Sequence, residues 1–408
     1  MNILLIHQSF VSPRESGGTR HYELARHLIK QGHCVTIVAS SVSYLTGNMV
    51  SEQRGIVTEE KIDDIRLLRA YTPPVLHRGQ KWRVASFVTF MVTSVIAAWK
   101  AGPVDLVMGT SPPLFQAISG WLISVLRRRP MLLEIRDLWP EFAIDMGILR
   151  NPVLIAISRR LERFLYRHAT HLLVNSPAYR VYLMDKGIPA ENIDLIANGV
   201  DPEMFDPQAD GQSFRKKWGL EGKFVVTYTG AMGIANDLRV LLKAAHRIRH
   251  HPAIHILLVG DGIERASLEQ QVLDEGLENV TVAGAVPKSS VSEVLAVSDV
   301  CVATLQNIPM FKTTYPNKVF DYMAAARPTI LAIDGVIRDV IESSEGGTFV
   351  PPGNDEKLAD AIQYCYENPE DSKRMGQAAR EYVVTHFNRH KQAEAFADLV
   401  QKISTRRS

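Results

Sequence analysis

Three neighbouring stretches decide how this chain divides: IDLIAN at 193–198, ANGVDPEMFDP at 197–207 and FVVTYTG at 224–230. The outer two are short apolar runs rich in β-branched residues and read as strands. The middle one holds Asn198, Gly199, Pro202 and Pro207 without periodicity and reads as a linker. A strand pattern therefore stops near residue 197 and starts again near 224.

Working outward, both sides show the same grammar. Before the linker the strand candidates are NILLIH, CVTIVA, IRLLRAY, DLVMGT, LLEIRD, HLLVNS and IDLIAN. After it they are FVVTYTG, IHILLVG, VTVAGAV, VCVATL, TILAI and GTFVP, with helical stretches beginning near Asn236, Glu264, Lys288, Asn317 and Ile337. The runs are apolar on both faces, as parallel strands covered by helices must be. Alternating strand and helix in two separate series predicts an α/β protein with two doubly wound, Rossmann-like domains facing a central cleft. The expected boundaries are 1–198, 199–385 and a terminal helix over 386–408 that packs back on the first domain. Ligands of such sheets bind at the carboxyl ends of the strands, so the cleft is the expected site.

The bulk numbers agree with two domains. The chain has 408 residues, 46% apolar and 22% charged, enough for two ordinary cores. Cys34, Cys301 and Cys365 lie far apart, show no metal-ligand spacing and are odd in number, which fits a reducing compartment. MNILLIHQSF has no basic n-region and too short an apolar run for a signal peptide. Residues 1–200 carry a net +7 and the remainder −5. The first half then either faces something anionic or has simply drifted on solvated surfaces.

The stretch TTYPNKVFDYMAAARPTILAI, 313–333, places Lys318 in the first turn of a helix, just after Pro316. A cation there opposes the helix dipole. A phosphate on the amides of residues 317–319 removes the conflict, held by backbone, dipole and Lys318 together. Asp321 projects one turn further on, within reach of a sugar hydroxyl. The plain alternative is a solvent-facing lysine and a dipole-complementing aspartate. Three glycine turns at strand ends support the phosphate: Gly17 and Gly18 with Arg20 beside them, Gly230 and Gly233, and Gly260 and Gly262. Each alone reads as structural; together with Lys318 they form an expected diphosphate cradle.

The pieces GGTRHYELARHLIKQGHCVTIV, RDLWPEF, NGVDPEMF, YTGAMGIANDLRVLLKAA, LLVGDG, VTVAGAVPKSSVSEVLAVSDV and PNKVFDYMAAARPTILA occur in this order over nearly the whole chain. In them the chain resembles retaining glycosyltransferases of the GT-B fold, family 4, and among these the bacterial L-fucosamine transferase (WbuB-type) group. The resemblance implies a nucleotide-sugar donor, UDP-linked, in the second domain. It adds Asn236, Val286, Pro287 and Asn317 to the donor-binding residues. It also implies an acceptor saccharide linked to polyprenyl diphosphate, and work on surface polysaccharide such as O-antigen.

The departures from that family are specific. Its Glu-x7-Glu pattern is reduced to Asp321, with Thr313 at the first position. The Arg and Lys that the family places after the first strand of the second domain are Ala231 and Asn236 here. Lys318 is then the cation expected to neutralise the diphosphate. Asp137, in RDLWPEF, stands where many members carry an acid and Arg136 where they often carry His. Asp137 either accepts the proton of the acceptor hydroxyl or caps the turn before Pro140. His7 closes the first strand and either lines the site or packs.

Residues 77–102, HRGQKWRVASFVTFMVTSVIAAWKAG, contain an apolar run from Val84 to Trp99, short of the roughly 20 residues a spanning helix needs. Arg78, Lys81, Arg83 and Lys100 flank it, and the basic RRRP lies at 127–130. It reads as an interfacial helix on an anionic membrane or as a buried crossover helix. The expected location is the cytoplasm or the inner membrane face. No Asp-x-Asp, P-loop, H-E-x-x-H or G-x-S-x-G is present, so no metal or other cofactor is expected, and nothing calls for nucleic acid. Two other functions fit the fold: a nucleotide-sugar epimerase, and a non-catalytic nucleotide-sugar sensor at the membrane.

Overall fold

The computed structural model describes residues 1–15, 17–76 and 78–405. His77, which falls in a stretch quoted above, and Ser16 lie outside the described residues, as do residues 406–408 of the expected terminal helix. The chain divides into two compact units. The first comprises Met1–Ser12, Thr19–Ala197 and the segment from His390 onward; the second comprises Pro13–Gly18 and Asn198–Arg389.

The first unit is built on β1 (Asn2–Ile6), β2 (Cys34–Ser40), β3 (Val57–Ile62), β4 (Ile65–Ala70), β5 (Leu106–Ser111), β6 (Met131–Ile135), β7 (His171–Val174) and β8 (Ile193–Leu195). They lie in the order β3-β4-β2-β1-β5-β6-β7-β8. All neighbours are parallel except β3 and β4, which form an antiparallel hairpin through Asp63, a left-handed residue at φ 50°. The seven apolar runs became strands. β3 has no counterpart among them, because VTEEKI is an edge strand with charged residues on an open face. After β1 the chain builds outward through β2 and then returns to the other side at β5. The gap between β1 and β5 is therefore the switch point where such sheets hold ligands.

The terminal helix Arg389–Thr405 belongs to this unit from His390 on. Ala393, Phe396, Ala397, Val400 and Ile403 follow helical spacing and enter the core that contains Leu24, Leu28, Ile37 and Leu67. Each large apolar side chain buried this way contributes about 1.5–3 kcal/mol.

The second unit is an all-parallel sheet of β9 (Phe224–Ala231), β10 (Ile254–Asp261), β11 (Val280–Ala283), β12 (Val300–Thr304), β13 (Thr329–Ala332) and β14 (Gly347–Phe349). Its order is β11-β10-β9-β12-β13-β14, with the switch point between β9 and β12. The loop Pro13–Gly18 is the surprise of the division: its backbone carbonyls at Glu15 and Pro13 accept from the amides of Lys288 and Ser289. The second unit thus carries a short strap from the N-terminal part of the chain.

Gly260 and Gly262 are required by the sheet rather than by a ligand. A Cβ on Gly260 would lie 1.8 Å from the carbonyl oxygen of Gly230, and one on Gly262 would lie 2.4 Å from that of Met232. What approaches these two glycines is the neighbouring strand and its continuation, so the sheet by itself accounts for the absence of a side chain at both.

Candidate active site

In the second unit the helix Asn317–Ala324 starts at Pro316 with no side-chain cap. The amide of Val319 already donates to the carbonyl of Pro316 at 3.1 Å. The expected anion seat on residues 317–319 therefore narrows to the amides of Asn317 and Lys318. Around it stand several of the expected residues. Lys318 Nζ donates to Tyr228 Oη and, at 3.1 Å, to Asn236 Oδ1. It lies 3.9 Å from the centroid of the Tyr228 ring. The Gly230 backbone, left-handed at φ 131°, leaves room for this ammonium: a Cβ there would sit 3.3 Å from Nζ. Gly18 approaches Asn317 in the same way, its missing Cβ lying 3.3 Å from Nδ2. Asn317 Oδ1 is buried with no partner among the described residues. Gly17, the residue before Gly18, has a positive φ of 140°.

No carboxylate pairs with Lys318 among the described residues. Burial without a counter-ion brings its ammonium down to about 7. A half-buried lysine, held only by neutral groups, is arranged to meet an anion that arrives from outside. Asn236, where the resemblance described above expects a cation, is one of the two residues that hold Lys318.

Asp321 is placed differently from the simplest expectation. Its Oδ2 accepts from Lys288 Nζ at 2.6 Å, and the two side chains are only 13% and 10% exposed. Lys288 also lies 5.1 Å from the centroid of the Phe205 ring. The Asp321 carboxylate thus comes with a fixed cation attached. Val286 and Pro287 lead directly into Lys288. The carbonyl of Gly233 accepts from the amide of Asn236 at 2.9 Å. Thr313 turns its hydroxyl back to the carbonyl of Met310 at 2.5 Å.

Arg20 requires a correction. It does not face the glycine turn that precedes it. Its Nε donates to Glu134 at 2.8 Å, and its two terminal nitrogens donate to the carbonyls of Ile196 and Ala197. Glu134 is fully buried and also meets His21 Nε2. Burial alone would raise the Glu134 carboxyl, but His21 and Arg20 outweigh it and hold it well below the usual range. Arg20 is therefore the counter-ion of a buried acid in the first unit.

That acid anchors a polar cluster at the carboxyl ends of β1, β5 and β6. His7 Nε2 lies 3.2 Å from an Arg136 nitrogen, which can only donate, so the His7 proton is on Nδ1 and goes to Thr110 Oγ1 at 2.8 Å. Burial, with His21 and Arg136 beside it, keeps His7 neutral by pushing its pKa well down. Asp137 follows Arg136. Its Oδ1 lies 3.5 Å from Tyr179 Oη, a long contact. Burial raises its carboxyl to about 6 despite Arg136. In the turn before Pro140 the Trp139 amide donates to the Asp137 carbonyl at 3.0 Å, and among the described residues the Asp137 side chain makes no hydrogen bond to that turn. The carboxylate is thus left available. Tyr228, Lys288, Glu134 and Tyr179 were not singled out from the sequence. Each looks like an ordinary strand, loop or helix residue until the chain folds.

The helix Gln80–Lys100 has two faces. Ser86, Phe90, Thr93, Ser94, Ala97 and Ala98 are buried, whereas Val84, Val88, Val92 and Ile96 are 39–53% exposed, with Trp82 and Trp99 more so. Length and composition would let it cross a bilayer, yet its inner face belongs to the core. The buried-crossover reading describes one face only. Arg127 stacks over Trp99, 4.5 Å from the ring centroid.

Two family models match the chain: a glycosyl transferase 4-like domain over residues 17–199 and glycosyl transferases group 1 over residues 210–382. It is 23% identical to the putative colanic acid biosynthesis glycosyl transferase WcaI of Escherichia coli, over 93% of this chain and 95% of that one. It is 28% identical to a GDP-mannose-dependent alpha-mannosyltransferase of Mycobacterium tuberculosis, over 60% of this chain and 59% of that one. The fold matches HepE of Anabaena, solved with UDP and glucose, at a TM-score of 0.73 and 19% identity, over 98% of this chain and 99% of that one. With both family models in place over most of its length, the chain belongs to the family 4 glycosyltransferases of the GT-B fold.

Proposed function

We propose that this enzyme transfers a sugar from a UDP-linked donor to an acceptor hydroxyl with retention, in the building of bacterial surface polysaccharide. The second unit holds the donor and the first the acceptor, a saccharide on polyprenyl diphosphate at the cytoplasmic membrane face. The sugar is a hexose or an N-acetylaminodeoxyhexose of the L-fucosamine type. The observation that carries this reading is Lys318, a half-buried cation without a carboxylate partner among the described residues, set where two helix amides and two glycine turns converge. The leaving diphosphate gains most of its negative charge in the transition state, so a preorganised cation there accelerates the reaction. Asp137 orients the acceptor hydroxyl, whose proton ends on a diphosphate oxygen as the new glycosidic bond forms on the same face. Asp321, fixed by Lys288, accepts from the ribose hydroxyls.

The test is incubation with a panel of UDP- and GDP-sugars, with and without lipid-linked saccharide. Acceptor-dependent release of UDP is the expected outcome. An isomerised donor would identify an epimerase instead, and binding with no turnover a sensor.

A further inference from the structure

We propose that binding of the nucleotide-sugar is coupled to the uptake of one proton by Lys318. The inference rests on Lys318 being the cation that meets the diphosphate. It follows from counting hydrogens at Nζ. Tyr228 Oη already donates its proton to the carbonyl of Ala231 at 2.7 Å, so toward Lys318 it can only accept. Asn236 Oδ1 is likewise only an acceptor. The protein therefore supplies two acceptors to Nζ, which is what a neutral amine with two N–H groups satisfies. An ammonium has a third N–H, and beyond the face of the Tyr228 ring, 3.9 Å from Nζ, the described residues give it no third hydrogen-bond acceptor.

The charged and titratable groups around Lys318 do not change this count. On its own helix, Asp321 is engaged by Lys288 and the Tyr322 hydroxyl by Thr229. From β9 it meets Tyr228, whose phenol is pushed well up by burial and stays neutral. Beyond Asn236 lies Asp237, whose charged neighbours are Lys243 and Glu264. Burial, with no opposing acid, leaves the lysine titrating near 7 in the free protein. A diphosphate diester stays doubly negative throughout this range, so it supplies the missing partner for a third N–H and draws the proton in. The sign is fixed: the ammonium is present below the free-state value and lost above it. Affinity is therefore full at low pH and weakens as pH rises.

The experiment is isothermal titration of the full chain with UDP-glucose, and separately with GDP-mannose. Neither compound has a phosphate that titrates near neutrality. Measurements in buffers of different ionisation heat report protons directly. The expected result is uptake approaching one proton per ligand at pH 8, falling toward zero at pH 6, with Kd rising up to about tenfold per unit above pH 8. Lys318→Arg, always charged, should bind without uptake and with a flatter pH profile. Equal affinity at pH 6 and pH 9 without uptake overturns the proposal, as does full uptake in the arginine variant. If that variant does not fold, the wild-type buffer series decides alone. Failure of wild type to bind either nucleotide-sugar at any pH sinks the functional reading itself, a result distinct from binding without protons.

Discussion

Lys318 carries the donor side of the reading, and its removal is the most direct test at the scale of single residues. Lys318→Ala should lower kcat/KM by about 2–4 kcal/mol of transition-state stabilisation, the usual cost of losing one preorganised partner of a developing anion. Near-normal kcat/KM would remove Lys318 from the chemistry. Asp137 makes a second prediction with two opposed readouts. Its folded pKa of about 6 lies above the ordinary aspartate value of 3.8, so burying the carboxylate weakens the fold once pH exceeds both. Asp137→Asn should therefore raise stability at pH 7.5 by about 1–2 kcal/mol, screening included, and leave it unchanged near pH 3, while activity falls. Thermal melts at the two pH values check the first part. Arg20 behaves oppositely. Arg20→Met leaves Glu134 buried without the guanidinium it bonds and should cost about 3–5 kcal/mol of stability. UDP-glucose affinity of the folded fraction should not change. What could be read in the sequence here was the oddity of a cation at a helix start. The partner of that cation could not be read, because Tyr228 is 90 residues away and its role depends on how β9 ends.

At the scale of elements, thirteen of the fourteen strands were legible because parallel strands buried on both faces leave continuous apolar runs. The exception, β3, hides its pattern because an edge strand needs only one packed face. The helix Gln80–Lys100 was left ambiguous for a related reason: its composition is apolar all round, and only packing decides which side stays open. With Val84, Val88, Val92 and Ile96 outward and Lys81 and Arg83 at one end, it should hold the enzyme on anionic lipid. Wild type should sediment with vesicles containing phosphatidylglycerol, less so as salt rises, each basic residue contributing about 1 kcal/mol. Lys81→Glu with Arg83→Glu should release it without altering UDP-glucose binding. A wild type that ignores such vesicles at low salt would show that this face serves something else.

At the scale of the whole molecule, the expected two-domain split was readable from the linker, but the strap at Pro13–Gly18 was not. Nothing local in that glycine turn says which unit its backbone will join. Catalysis by the assembled chain should be independent of divalent metal, since in the proposed function Lys318 and helix amides neutralise the diphosphate. Turnover should survive EDTA; activity lost on chelation and restored by Mg²⁺ or Mn²⁺ would overturn this. One feature of the fold reaches beyond catalysis. The helix Arg389–Thr405 supplies core residues to the first unit although the whole second unit precedes it in the chain. On the ribosome, then, the part translated first is completed last. The early unit waits with Leu24, Leu28 and Ile37 uncovered while the later one can already close its own core, so a stalled or truncated chain would be a ready client for chaperones.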